Sequence, residues 1–123
     1  MAIPSGSGSE VLERSKANST SGSDLIIHSG TANHIYSFLS IIVMNTVTAA
    51  ATFGMHIQYG GSSSSGDLFY ILGGAASNMT LVGQKTFIFN DRLVLVGADD
   101  LVFNGSSSCN IDIWNSYIHQ DWS

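Results

Sequence analysis

Charge is what this sequence has least of. Asp, Glu, Lys and Arg make up 11% of its 123 residues, against about 25% in an ordinary soluble domain. Only four residues are basic, Arg14, Lys16, Lys85 and Arg92, and the net charge is −5. Nucleic-acid binders draw much of their affinity from neutralising phosphates, so this composition argues against that class. A chain so poor in charge is also badly suited to life as a lone monomer, which points to surface hidden in an assembly. Cys109 is the single cysteine, and an internal disulfide framework is excluded. The opening MAIPSGSGSE has no basic region followed by an apolar stretch, so a secretory signal is not expected. Asn18-Ser-Thr, Asn78-Met-Thr and Asn104-Gly-Ser are therefore read as chance matches to the glycosylation pattern. No stretch after residue 24 combines helical periodicity with caps.

What is present is β patterning around one long apolar run, Ile35 to Tyr59, in a span from Leu25 to Gly66 free of Asp, Glu, Lys and Arg. A membrane helix needs about 20 consecutive apolar residues. Here Ser37, Ser40, Asn45, Thr46, Thr48 and Thr52 interrupt the run. Its second half alternates, with Ala51, Phe53, Met55, Ile57 and Tyr59 on one side and Thr52, Gly54, His56 and Gln58 on the other. A period of two is a strand signal, because successive side chains leave opposite faces of a sheet. The reading is a β-hairpin with strands near 34–44 and 50–59, reversing at the polar pair Asn45-Thr46.

The first of these strands is apolar on both sides. Ile35, Leu39, Ile41 and Val43 share one face, and Tyr36, Phe38, Ile42 and Met44 the other. A strand with one solvated face should alternate apolar with polar, so the second face needs cover. That cover is either an internal segment, such as the N-terminal arm, or a neighbouring subunit. Tyr36, Phe38, Ile42 and Met44 are accordingly expected at a homo-oligomer interface.

Residues 1–24 are rich in Ser and Gly, too poor in apolar area to fold alone. They read as an extended arm with Val11 and Leu12 as its apolar anchors, and residues 25–123 as the domain. Strands are expected at 25–27, 68–72, 79–82, 85–89, 93–96, 101–103 and 110–114, with 117–120 as a candidate continuation of the last and Asn90-Asp91 as a turn pair. Gly60-Gly-Ser-Ser-Ser-Ser-Gly is a flexible exposed loop by composition. Eight or nine short strands with regular turns give the fold class: all-β, a single antiparallel β-sandwich or jelly-roll-like domain with an extended N-terminal arm.

The strand end Ile41-Ile-Val-Met-Asn-Thr is followed by Ala49-Ala-Ala-Thr-Phe-Gly-Met-His-Ile and later by Leu93-Val-Leu-Val-Gly-Ala-Asp-Asp-Leu-Val-Phe. In this order they resemble the small β-sandwich virion proteins of tailed bacteriophages, with Asn45 and Gly97-Ala98-Asp99-Asp100-Leu101 at the matching positions. The opening Ile3-Pro-Ser-Gly-Ser-Gly-Ser-Glu-Val-Leu is similar to the N-terminal arms of that class. The resemblance implies a non-enzymatic structural protein of the virion, most simply a head decoration (cement) protein. It also implies a trimer in contact with the major capsid protein or other virion proteins, with neck or tail placement as the alternative. Neither nucleic acid nor a membrane is expected as a partner.

Few residues promise chemistry. His28, His34, His56 and His119 accompany Cys109 and several Asp, but no pair has the spacing of a zinc motif, so no metal and no cofactor is expected. Asp99-Asp100 are adjacent on an extended chain and point apart, which suits a turn role rather than paired catalytic acids. Ser106–Cys109 lacks a nucleophile elbow, and Cys109 is expected as a small buried apolar residue. Trp114, Tyr117 and Trp122 admit two readings. One is docking of the C-terminal segment on the core or a neighbour; the other is a sugar-stacking surface, as in a receptor-binding module.

Overall fold

The computed structural model describes residues 9–122. Ten strands run β1 (Ser9–Ser19), β2 (Asp24–Ser29), β3 (His34–Asn45), β4 (Ala51–Gln58), β5 (Leu68–Leu72), β6 (Met79–Leu81), β7 (Thr86–Phe89), β8 (Leu93–Val96), β9 (Asp100–Gly105) and β10 (Ile111–Asp121). They form two antiparallel sheets. Sheet A has the order β1-β10-β3, with β7 and β8 both along the far edge of β3; sheet B has β2-β9-β4, with β5 and β6 both along the far edge of β4. Each sheet is thus four positions wide. The first half of the chain pairs with the second half in mirror order, β1 with β10 and β2 with β9. That is the connectivity of a jelly roll, as the alternation of short strands suggests.

The expected hairpin between β3 and β4 is not formed. β3 belongs to sheet A and β4 to sheet B, so the chain reverses at Asn45 into the opposite layer. The flanks of β3 are taken by β10 on one side and by β7 and β8 on the other. Asn45 shapes the crossing. Its amide donates to the carbonyls of Ala49 (2.8 Å) and Leu81 (3.1 Å) and accepts from the Val47 N–H (3.3 Å). A fully buried amide is tolerable because each polar end is satisfied. Asn90-Asp91 likewise turns no hairpin: it interrupts one long edge, since β7 pairs with residues 41–44 and β8 with residues 35–38 of the same strand.

Residues 9–19, read from sequence as part of an arm, pair along their whole length with β10. β1 is extended, as expected, but it is an edge strand of sheet A. Its charged side chains Glu10, Glu13, Arg14 and Lys16 suit a strand whose outer edge faces water. Residues 20–23 lead into β2, which begins at Asp24, while residues 1–8, including the opening from Ile3, lie outside the described residues.

The core lies between the sheets. Phe53 and Phe103 stack with ring centroids 5.4 Å apart, Phe87 meets Phe53 edge-on, and Ile41, Val43, Leu95, Leu101, Ile111 and Ile113 fill the space around them. Two β-bulges adjust what faces it. On β3 the partners step from Ser116↔Ser40 to Tyr117↔Phe38, which leaves Leu39 as an extra residue. One extra residue moves every later side chain to the other face. Tyr36 and Phe38 therefore point inward with Ile41 and Val43, and are 4% and 3% exposed. Their expected place at an oligomer interface is corrected: they are core residues. On β2 the step from Ile26↔Val102 to His28↔Leu101 turns His28 inward in the same way.

Candidate assembly surface

The outward face of sheet A can be read row by row from the register. Lys16, Trp114, Ile42 and Ile88 lie abreast; so do Leu12, Ile118, Ser37 and Val94, and then Glu10, Gln120, Ile35 and Val96. The centre of this face is apolar. Leu12, Ile88 and Val94 are 70%, 55% and 55% exposed, with Val96 and Trp114 open beside them. Ile42 and Met44, expected at an interface, stay on this face and are half-buried. Between β1, β10 and β3 it carries a groove of about 420 Å³, lined by Trp114, Ile42, Met44 and the stem of Lys16, with Asn18 and Asp112 at its rim. Arg14 lies 5.9 Å from the centre of the Trp114 ring, within cation–π reach. Val11 and Leu12, the expected anchors, are both exposed on β1. An apolar centre with a polar rim is the anatomy of a protein–protein contact.

The sugar-stacking set is not assembled. Trp114 faces outward, but Tyr117 alternates with it and is buried in the core against Phe38 and His28, while Trp122 is half-buried beyond the end of β10. Two aromatics on opposite faces of one strand cannot share a ligand. The two bulges explain why this end of the core is aromatic: His28 packs edge-on against Tyr36, Phe38 and Tyr117. Burial, reinforced by nearby His119, pushes the His28 pKa below its ordinary value, and burial with Glu13 beside it pushes Tyr117 up. Sequence reasoning missed this cluster, because no local pattern signals a bulge.

The histidines are otherwise divided. His34 and His119 meet ring to ring across β3 and β10, and each reaches a carboxylate, His34 to Asp121 at 3.3 Å and His119 to Glu13 at 3.1 Å. The bond between the two rings needs one imidazole to donate and the other to accept. The chain of four side chains ties β1 to β10 and β3. Among the described residues no group of three His, Cys, Asp or Glu is placed to hold a metal ion. Cys109 is buried against the Ser19 carbonyl. Asp99 accepts from the N–H groups of Val96 and Gly60, and Asp100 from Ser29 Oγ and the Gly30 N–H. Both serve turns.

No protein-family model matches the chain, and no curated protein matches it in sequence. Its fold is nevertheless shared. A protein from Bacillus endospore appendages, described as a family of disulfide-linked pili, superposes with a TM-score of 0.57 at 14% identity, covering 100% of this chain and 97% of that one. A chain of the T13 particle of infectious bursal disease virus superposes at 0.57, with 11% identity over 92% of this chain and 31% of that one. The likeness is one of fold. A third structure, of T=1 particles derived from the same virus, matches at 0.58 with 12% identity over 96% of this chain and 32% of the viral chain. The chain thus spans about a third of the viral chains it matches. Among the described residues no helix is long and apolar enough to cross a membrane.

Proposed function

We propose that this chain is a non-catalytic structural subunit, built to pack against copies of itself and against neighbouring coat subunits in a virus particle. The single observation that carries the reading is the uncovered apolar face of sheet A, with Trp114, Ile42 and Ile88 abreast in one row and Leu12 and Val94 in another. Low charge and the jelly-roll fold support it, and the resemblance to tailed-phage virion proteins supplies the setting: a head decoration protein, oligomeric as a trimer, that stabilises the shell. Several modest contacts per subunit then act together, so that the assembly holds more firmly than any one of them. The pilus relative is disulfide-linked by description, whereas the one cysteine here is buried, which favours non-covalent association.

Sedimentation of the purified protein at micromolar concentration tests the reading. A homo-oligomer is expected, and the double variant Ile42→Asp/Ile88→Asp should run as a 13.0 kDa monomer with its melting temperature nearly unchanged. A wild-type protein that never self-associates and never adds to particles would sink the proposal. Particles assembled without it should form with normal geometry yet rupture at lower temperature.

A further inference from the structure

A trimer sets a condition that one patch cannot meet. Three copies around a three-fold axis join head to tail, so each subunit presents two different surfaces, one to each neighbour. The groove on sheet A supplies the first. Trp114, Ile42 and Met44 make it apolar, and its volume of about 420 Å³ lies within the range of about 300–1,000 Å³ that encloses a small ligand, ample for one aromatic side chain. Lys16 on its wall and Arg14 beside Trp114 make it basic; they are two of the four basic residues in a chain of net charge −5. Among the described residues neither meets a carboxylate. The one acid in the groove, Asp112, is held by the Asn18 amide at 2.7 Å. The opposite character is found on the other layer. Phe69 on β5 lies opposite Ile57 in the register, and Tyr59 follows two residues after Ile57. Both rings stand open to solvent, Phe69 at 67% and Tyr59 at 71%. Acids accompany them: Asp67 immediately precedes β5, and Asp99 accepts from the Gly60 N–H at 2.8 Å.

We infer that the groove on sheet A of one copy receives Phe69 of the next, with Tyr59 at the rim and Asp67 facing Lys16 and Arg14. The inference rests on the reading of this chain as an oligomeric subunit, and it names the two surfaces that meet. A ring entering between Trp114 and Met44 finds an aromatic partner on one side and a thioether on the other. Charge decides against the symmetric alternatives. Two grooves placed face to face would set Arg14 and Lys16 against their own copies. Two aromatic lips placed together would do the same with Asp67 and Asp99. The head-to-tail contact is the arrangement that pairs opposite signs, and like charges across an interface are costly. The groove belongs to sheet A and the lip to sheet B, so one contact leaves the other half of each subunit free for a further copy.

The test is sedimentation of the full chain and its variants, alone and mixed. Phe69→Ala and Trp114→Ala, both at exposed positions, should keep the fold and each weaken self-association about thirtyfold, the loss of one central aromatic anchor at about 2 kcal/mol. The mixture is decisive. The intact groove of the Phe69→Ala protein takes the intact ring of the Trp114→Ala protein, so two proteins that are monomers alone should form a one-to-one dimer together. Lys16→Asp and Asp67→Lys should each weaken assembly, and the two combined in one chain should restore it. Assembly that ignores Phe69→Ala, a mixture that stays monomeric, or a charge swap that restores nothing would overturn the inference and leave the assembly reading standing. A wild-type protein that is monomeric at every concentration would overturn both.

Discussion

The two sheets of this sandwich treat the centres of their outward faces in opposite ways, although Ile26 on the β2 edge of sheet B is 52% exposed. Sheet A leaves Leu12, Ile88 and Val94 open to solvent, while sheet B buries its outward Val102 completely, between Ile26 and His56 in the register. The difference follows from the connections. The loops that follow β4 and β5 contribute Ser63 and Ala75–Ser77 to the outward side of their own sheet, where Gly54 leaves room for the second of them to pass close. Sheet A has no such cover among the described residues. Apolar strands on both sides of a sandwich therefore do not by themselves predict an interface; what matters is whether the chain itself returns over them.

The sharpest way to break this comparison is to put the same charge at matched outward positions. Val102→Asp places a carboxylate in a fully buried site and should cost more than about 4 kcal/mol, enough to unfold a domain of ordinary stability. Val94→Asp, on the open face, should shift stability by no more than about 0.5 kcal/mol. Chemical denaturation of the two variants checks the contrast, and similar losses in both would show that sheet A's face is covered after all.

A middle-sized effect concerns how the two layers are tied. Asn45 leaves sheet A and donates to the Leu81 carbonyl on β6 of sheet B. Asn45→Ala should cost about 1–3 kcal/mol, because it strands buried carbonyls without a donor. Hydrogen exchange should then quicken in β6 before it quickens in β10.

The smallest effect is the pH response of the aromatic end, where His28 of sheet B enters among residues of sheet A. Its pKa is lowered by burial, so the folded state resists its protonation and the unfolded state does not. The stability it contributes is complete above its ordinary value of 6.5 and fades as pH falls through that value. Tyr117 is raised, so its contribution is complete below 10.0 and fades as pH rises beyond it. Melting temperature against pH should show both limbs. His28→Phe should flatten the acid limb and leave the alkaline one in place.

Much of the chain's local character was legible from its residues. Period-two alternation and Gly, Asn and Ser turns placed the strands, with 68–72 and 93–96 matching the observed bounds. The turn roles of Asp99 and Asp100 and the burial of Cys109 also followed from residue type. The candidate surface was legible only in half: Ile42 and Met44 stay outward, while Tyr36 and Phe38 moved to the core. The trough on sheet B lined by His56, Gln58, Tyr70 and Asn104 left no sequence signal at all, because its lining comes from β2, β4, β5, β9 and two loops.

Side-chain alternation and turn chemistry act between near neighbours, so the sequence by itself determined that this protein is a sandwich of short strands with more apolar surface than one core needs. Which strand lies beside which was decided only by the tertiary structure. Asn45 ends a strand in either case, but whether the chain turns back along β3 or crosses to sheet B depends on β10, β7 and β8 occupying β3's edges. The bulge at Leu39 belongs to the same category. It exists because β3 must match β10 on one side and the interrupted β7–β8 edge on the other, and that match decides which aromatic side chains the core receives.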